Sequence, residues 1–383
     1  MINLEGSYRN PFSDYNANVM NPSKILDYWC SPFAKSAAIS ESDIYHQEMP
    51  IVFMGGRGTG KTMFLRYFSY YVQRDEALKK NRDKDYPKII SHLKEKGGIG
   101  FYLRIDGPVL RSFDAKGLDA EKWDAIFTHY FELQVCKSYI EVIQDLVFKG
   151  ELNKEQVEIE FIPEVDRQLG ITNRESKTID DVLQRVEDEL KEVTFFRAQI
   201  AFSDIDFHPT KGFASQDLSF GVAEIAMRTI NEFREGINFF ILIDEYENFT
   251  ERQQRIINTL LKFVRQGITF RIGMRLEGFH TFYTISENEF IKEGRDYKKI
   301  TFENFLVKYE DYQEFLIDVA RKRLESISVF KNKGFLDISK FLGDKEDLEK
   351  EALDLIESRE NPNKHFELLR YSDIKINIDE IKK

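Results

Sequence analysis

This chain is poor in cysteine, and that scarcity sets a first limit. Cys30 and Cys136 are its two thiols in 383 residues, too few for a disulfide framework and in no metal-like spacing, which suits a reducing cytoplasmic compartment. The histidines His46, His92, His129, His208, His280 and His365 never cluster at metal-ligand spacing. No apolar run approaches the roughly 20 residues of a membrane span; the longest, residues 239–243, is strand-sized. The start, Met1-Ile-Asn-Leu-Glu-Gly, lacks the basic flank and apolar core of a signal peptide. Positive charge is not in excess either. Lys and Arg total 55 against 66 Asp and Glu, a net charge of -11, so the balance gives no support to nonspecific nucleic-acid binding, which rests on phosphate neutralisation. A local basic patch stays open, and no membrane partner is expected.

What is present points to an α/β protein. Hydrophobic residues at 42% and charged residues at 32% give a sizeable core under a solvated exterior, and the length allows two or three domains. The 33 phenylalanines are read as core packing rather than base stacking. Residues 1–49 form a turn-rich, irregular segment, with Asn10-Pro-Phe, Asn21-Pro-Ser and Ser31-Pro-Phe around one amphipathic stretch at 24–29. Pro50-Ile-Val-Phe-Met reads as a buried strand, and residues 100–105, 239–243 and 268–274 as others. One helix is expected through Phe64, Leu65, Phe68, Tyr71 and Val72, with more over 74–96, 123 to about 148, 222–233 and 252–264. A further helix carries Ile179, Val182, Leu183, Val186, Leu190 and Val193; its near-heptad spacing suits packing on its own domain or a partner helix. Alternating strands and helices predict a parallel sheet covered on both faces.

Gly55-Gly-Arg-Gly-Thr-Gly-Lys-Thr62 matches G-x-x-x-x-G-K-[ST] at each fixed position, between a strand and a helix as that motif requires. Gly55, Gly56, Gly58 and Gly60 let the backbone turn its N–H groups onto phosphate oxygens. Arg57, Thr59 and Met63 complete the stretch expected against the nucleotide. Lys61 is suited to the β- and γ-phosphates and the Thr62 hydroxyl to Mg2+. In Phe239-Phe-Ile-Leu-Ile-Asp-Glu a buried strand ends in two carboxylates: Asp244 for magnesium, and Glu245 as the base that polarises attacking water. Either motif alone has a bland reading, a glycine turn or an acidic strand end; together they predict an ATP and Mg2+ site at the carboxyl ends of the strands. Glu247 and Asn248, just beyond, read as solvated loop residues. The long interval between Thr62 and Asp244 implies a largely helical insertion at about 110–220 in a core of 50–305. From 306 to 383 strand signals fade into a helical subdomain, with a stripe at Tyr312, Phe315, Leu316, Val319 and Leu324 and further helices at 348–356 and 364–370.

Phosphate loop, Ile-Asp-Glu strand end, a next strand with a polar terminus and a helical lid together resemble the AAA+ superfamily of P-loop ATPases. The arrangement is similar to the origin-recognition-complex-like and signal-transducing (STAND) types, a group that includes bacterial antiphage-defence ATPases. The resemblance implies a sensor role for Arg275, which ends Phe270-Arg-Ile-Gly-Met-Arg where Asn, Thr or Ser is more usual. It implies an arginine finger at Arg295, in Lys292-Glu-Gly-Arg-Asp-Tyr, and a lid sensor at Lys364, in Asn361-Pro-Asn-Lys. It also implies a homo-oligomer, as ring or assembly, acting with an effector protein. Origin-recognition proteins usually carry a winged-helix DNA-binding domain after the lid; about a dozen residues follow Arg370, too few for one, so that part is absent or the chain is the N-terminal piece of a longer protein. The activity expected is magnesium-dependent hydrolysis of ATP to ADP and phosphate. A nucleotide-dependent scaffold or sensor with little turnover, and a P-loop kinase, share the same loop chemistry.

Overall fold

Side chains alternate across a strand, and here both sets are apolar. The computed structural model describes residues 12, 16–33, 39–80, 88–114, 118–170, 176–200, 217–234, 236–286, 288–302, 309–326 and 331. Among them β1 (Ile51–Met54), β2 (Gly98–Arg104), β3 (Asn238–Asp244), β4 (Ile268–Met274) and β5 (Lys298–Thr301) form one parallel sheet in the order β2-β3-β4-β1-β5. Phe239, Ile241 and Ile243 of β3 enter one apolar cluster, while Phe240 and Leu242 enter a second on the opposite face. Val52 and Met54 of β1 likewise oppose Ile51 and Phe53.

The second cluster is closed by the N-terminal segment together with the helix after the glycine loop. α1 (Pro22–Tyr28) is capped by the Asn21 side chain, and α2 (Glu41–His46) by a reciprocal Ser40–Asp43 capping box. They bury Ile25, Tyr28, Ile44 and Tyr45, so two short helices of this segment are built into the core. α2 escapes sequence reading because six residues carry too little periodicity. The expected single helix after the glycine loop is two, α3 (Lys61–Tyr67) and α4 (Tyr70–Lys80). Between them Ser69 bridges Gly100 of β2, where a Cβ would stand 2.2 Å from the Phe68 carbonyl oxygen. Glycine at 100 admits that close approach, and the apolar spacing runs on through the break. α5 (Lys88–Lys96) follows; residues 81–87 lie outside those described.

Helices fill the interval between β2 and β3: α6 (Gly107–Arg111), α7 (Ala120–Phe148), α8 (Lys154–Gln156), α9 (Ile162–Gln168), α10 (Ile179–Gln199) and α11 (Leu218–Thr229), with a π-helical turn at Val157–Phe161. α7 lies against β2, where Tyr139 packs edge-on to Phe101 at 4.5 Å between ring centres. α10 lies along α7, joined by Lys137–Glu187 at 2.8 Å and His129–Glu189 at 3.2 Å. Its Val182, Val186 and Val193 are fully buried, so the near-heptad stripe packs within its own domain. α12 (Glu251–Lys262) links β3 to β4, and α13 (Tyr309–Glu325) follows β5. The chain divides into two compact units, Met1–Phe315 and Leu316–Lys383. In the second, Ala320 and Leu324 are buried and Leu316 is exposed; Lys364 and the helices expected at 348–356 and 364–370 lie outside the described residues.

One buried cation ties the N-terminal segment to the sheet. Arg271 of β4 has no exposed surface. Its guanidinium donates to the carbonyls of Ile44 (3.0 Å), Gln47 (2.6 Å) and Phe270 (2.9 Å) and to the Thr269 hydroxyl (3.2 Å). Burial draws its pKa down to about 9, still above neutrality, so the charge is kept and met by backbone dipoles. Arg271→Met should therefore lower stability by about 2–5 kcal/mol, since each orphaned buried carbonyl costs roughly 1–3. Urea unfolding followed by tryptophan fluorescence measures this; a loss below about 1 kcal/mol would show that the carbonyls find other donors.

Candidate functional site

The glycine loop joins β1 to α3. Gly58 and Gly60 have φ of +86° and +94°, with nothing within 4 Å of where a Cβ would stand, so the loop can turn here without steric cost. The Gly55 N–H donates to the Met274 carbonyl at 3.2 Å, which anchors the loop's start to β4. The Thr59 hydroxyl donates to the Gly56 carbonyl at 2.9 Å. Lys61 Nζ donates to the carbonyls of Gly55 (2.8 Å) and Gly56 (2.6 Å), which draws the ammonium inside the turn. Arg57 is exposed. The Met63 side chain packs on the second apolar cluster, so its backbone, not its thioether, is what it offers a ligand.

The acidic strand end meets this loop. Asp244 is 1% exposed. Its carboxylate accepts the Tyr102 hydroxyl on Oδ2 at 2.9 Å and the Glu245 N–H on Oδ1 at 2.9 Å, and the Thr62 hydroxyl lies near enough to favour its charged form. Burial raises its pKa above the ordinary value, and the donors from Thr62, Tyr102 and the Glu245 backbone work against that rise. Asp244 and Thr62 present hard oxygen donors, the chemistry magnesium takes when phosphates supply further ligands. The described residues hold no group of three or more His, Cys, Asp or Glu that could bind a metal by themselves.

Glu245 has φ of 55°, the sole positive value at a non-glycine among the described residues. Such a conformation costs on the order of 1–3 kcal/mol and persists where surroundings enforce it. The carboxylate accepts Arg104 Nη2 at 3.1 Å and Asn248 Nδ2 at 2.9 Å. Glu247, expected as solvated, is instead mostly buried and ion-paired to Arg275 at 3.0 Å. Its backbone carbonyl also meets the His280 ring at 2.9 Å. The turn after β3 is thus cross-braced to the end of β4, and neither Glu247 nor Asn248 is a free loop side chain. Arg275, the sensor candidate, is spoken for by Glu247. Arg295 lies on the loop before β5, more than half exposed, paired with Asp296 at 2.7 Å and donating to the Phe290 carbonyl at 2.9 Å. These partners stay within its own loop, so it is not brought to the glycine loop of its own chain.

Tyr102 and Arg104 were not singled out from sequence. They sit two residues apart on one face of β2, and Arg104 is the register partner of Asp244. That pairing is what sends one to each carboxylate, and no local pattern announces it.

A glycine loop between strand and helix, with an acidic strand end across β4 in the same parallel sheet, makes this an α/β P-loop NTPase core. The chain belongs to the ORC-CDC6-like family, whose model matches residues 10–383. That family is of AAA+ type, and membership suggests nucleotide binding and ATPase function. No curated protein and no solved structure matches it. Among the described residues no helix is long and apolar enough to cross a membrane.

The raised pKa of Asp244 has a consequence for stability. With its folded value above the unfolded one, its ionised form is disfavoured in the ligand-free protein at neutral pH, and that cost disappears as pH falls below both values. Asp244→Asn should then raise the melting temperature of the ligand-free protein at pH 7, with the gain fading toward pH 4. A melting temperature lowered by the same amount at both pH values would show that the carboxylate's hydrogen bonds outweigh its burial.

Proposed function

We propose that this protein binds ATP with Mg2+, hydrolyses it to ADP and phosphate, and uses the cycle to control assembly with other copies of itself and action on a partner protein. The observation that carries the proposal is the meeting of the glycine loop, anchored to β4 through Gly55 and Met274, with the carboxyl end of β3 at Asp244 and the strained Glu245. Two segments far apart in sequence place a phosphate cradle, a pair of magnesium-suited oxygens and a candidate base at one spot. Lys61 would turn from the carbonyls of Gly55 and Gly56 to the β- and γ-phosphate oxygens. Gly55, Gly56, Gly58 and Gly60 would line the phosphates with backbone, flanked by Arg57, Thr59 and Met63. Thr62 and Asp244 would hold magnesium, which when bound neutralises phosphate charge. Glu245 would orient and deprotonate water through Oε1, since Arg104 and Asn248 both donate to Oε2.

Arg295, exposed on its loop, is offered to the γ-phosphate of a neighbouring copy, where such a cation contributes about 10³–10⁵ in turnover. Arg275 braces the Glu245 turn through Glu247, and Lys364 is the lid's candidate contact. One observation favours a second reading, a nucleotide-dependent scaffold with little turnover: the proposed base is occupied by Arg104. A place in antiphage defence is carried by resemblance and by no residue of this site.

Lys61→Ala should abolish binding of a fluorescent ATP analogue. Glu245→Gln should keep binding and lose about 10²–10⁴ in phosphate release. Full turnover in that variant would remove Glu245 from the mechanism, and normal affinity in Lys61→Ala would sink the site. Particle mass with ADP, with ATP and in Glu245→Gln separates a standing ring from an ATP-built assembly; equal mass in all three would exclude nucleotide-controlled assembly. Arg295→Ala should lower hydrolysis at concentrations where copies associate while ATP binding to the monomer survives. Unchanged hydrolysis there would place the finger elsewhere.

A further inference from the structure

Asp244 accepts one side chain from outside the two sequence motifs among the described residues, and that side chain is itself clamped. Tyr102 gives its hydroxyl proton to Asp244 Oδ2 at 2.9 Å. Asn18 stands 3.4 Å from the same hydroxyl. An amide's oxygen and nitrogen exchange places by a flip, so Asn18 can supply the hydroxyl's remaining bond from its NH2 group. The Arg66 guanidinium lies 5.9 Å from the centre of the Tyr102 ring and donates to the Ala17 carbonyl. The 3-10 turn Ala17–Val19, α3 and β2 therefore close on this ring from different sides.

With Oδ1 taken by the Glu245 N–H and Oδ2 by Tyr102, the carboxylate has one orientation. We propose that Tyr102 is a positioning residue for magnesium, holding the Asp244 carboxylate in the plane from which it can meet the ion's coordination shell, with Asn18 of the N-terminal turn as its second support. This rests on the reading of Thr62 and Asp244 as the magnesium pair. Partners of this kind set the angle and freedom of a metal-site carboxylate, and their removal typically costs 10–100-fold in metal affinity. The N-terminal turn thereby becomes part of the metal site at one remove, although it carries no motif.

The test uses the full chain and a fluorescent ADP analogue, titrated with Mg2+ and, separately, in EDTA. Tyr102→Phe keeps the ring and removes the hydroxyl. It should raise the Mg2+ concentration for half-maximal tightening about tenfold or more, with nucleotide affinity in EDTA unchanged. Tyr45→Phe is the control, because the Tyr45 hydroxyl is buried with no hydrogen-bond partner among the described residues and its loss should leave the Mg2+ midpoint where it was. Asn18→Ala, at a half-exposed position, should move the midpoint in the same direction by a smaller factor. An unmoved or lowered midpoint in Tyr102→Phe, or an equal shift in Tyr45→Phe, overturns the positioning role. A wild type that binds the analogue no tighter with Mg2+ than in EDTA overturns the magnesium reading itself, which is a separate outcome.

Discussion

Asp244 ends a strand that has no exposed face, and its charge must be met by donors brought from several parts of the chain. Tyr102 comes from the neighbouring strand and the Glu245 N–H from the next peptide, with the Thr62 hydroxyl of the glycine loop close by. Desolvation alone disfavours the ionised form, so a carboxylate survives here only inside such a set of donors. The same requirement explains the left-handed turn at Glu245. Turning the chain back at that residue keeps its N–H on Oδ1 and aims its own carboxylate at Arg104 and Asn248. Strain in the backbone and hydrogen bonds in the side chains are two sides of one arrangement, and it is where the proposed chemistry sits.

A second buried charge works in the opposite sense. Arg271 brings a cation into the other end of the sheet, where backbone carbonyls in the last turn and cap of α2 satisfy it. The last turn of a short helix leaves acceptors unpaired, and a planar guanidinium with several donors suits such a group. The N-terminal segment is thus fastened twice: at α2 by Arg271, and at the turn Ala17–Val19 by Arg66. The first fastening serves the core and the second reaches the site. That split gives the segment a place both in the core and beside Tyr102.

Helices between β2 and β3 make one long cover for the sheet rather than a free appendage. α7 packs on β2, α10 on α7, and α11 returns toward the start of β3. Because β2 lies at one edge of the sheet beside β3, this cover bears on the strand that carries Tyr102 and Arg104.

The glycine loop, the acidic strand end and the apolar strands were legible because each is a local pattern. Gly55 to Thr62 and Asp244-Glu245 carry their meaning in adjacent residues, and β3 and β4 in runs whose every side chain is apolar or buried. The sheet covered on both faces followed from that same continuity. Tertiary structure alone decided the rest. Helix α2 is too short for periodicity, and the break after Tyr67 hides inside an unbroken apolar spacing that only the bridge from Ser69 to Gly100 explains. Tyr102 and Arg104 became site residues through the register that pairs Arg104 with Asp244, and Glu247 left the solvent because Arg275 was folded against it. Sequence by itself determined what kind of ligand the loop is shaped to grip, since phosphate recognition is written in neighbouring backbone positions. Which side chains hold its acids in place was decided only when distant strands came into register, because those contacts exist nowhere along the chain.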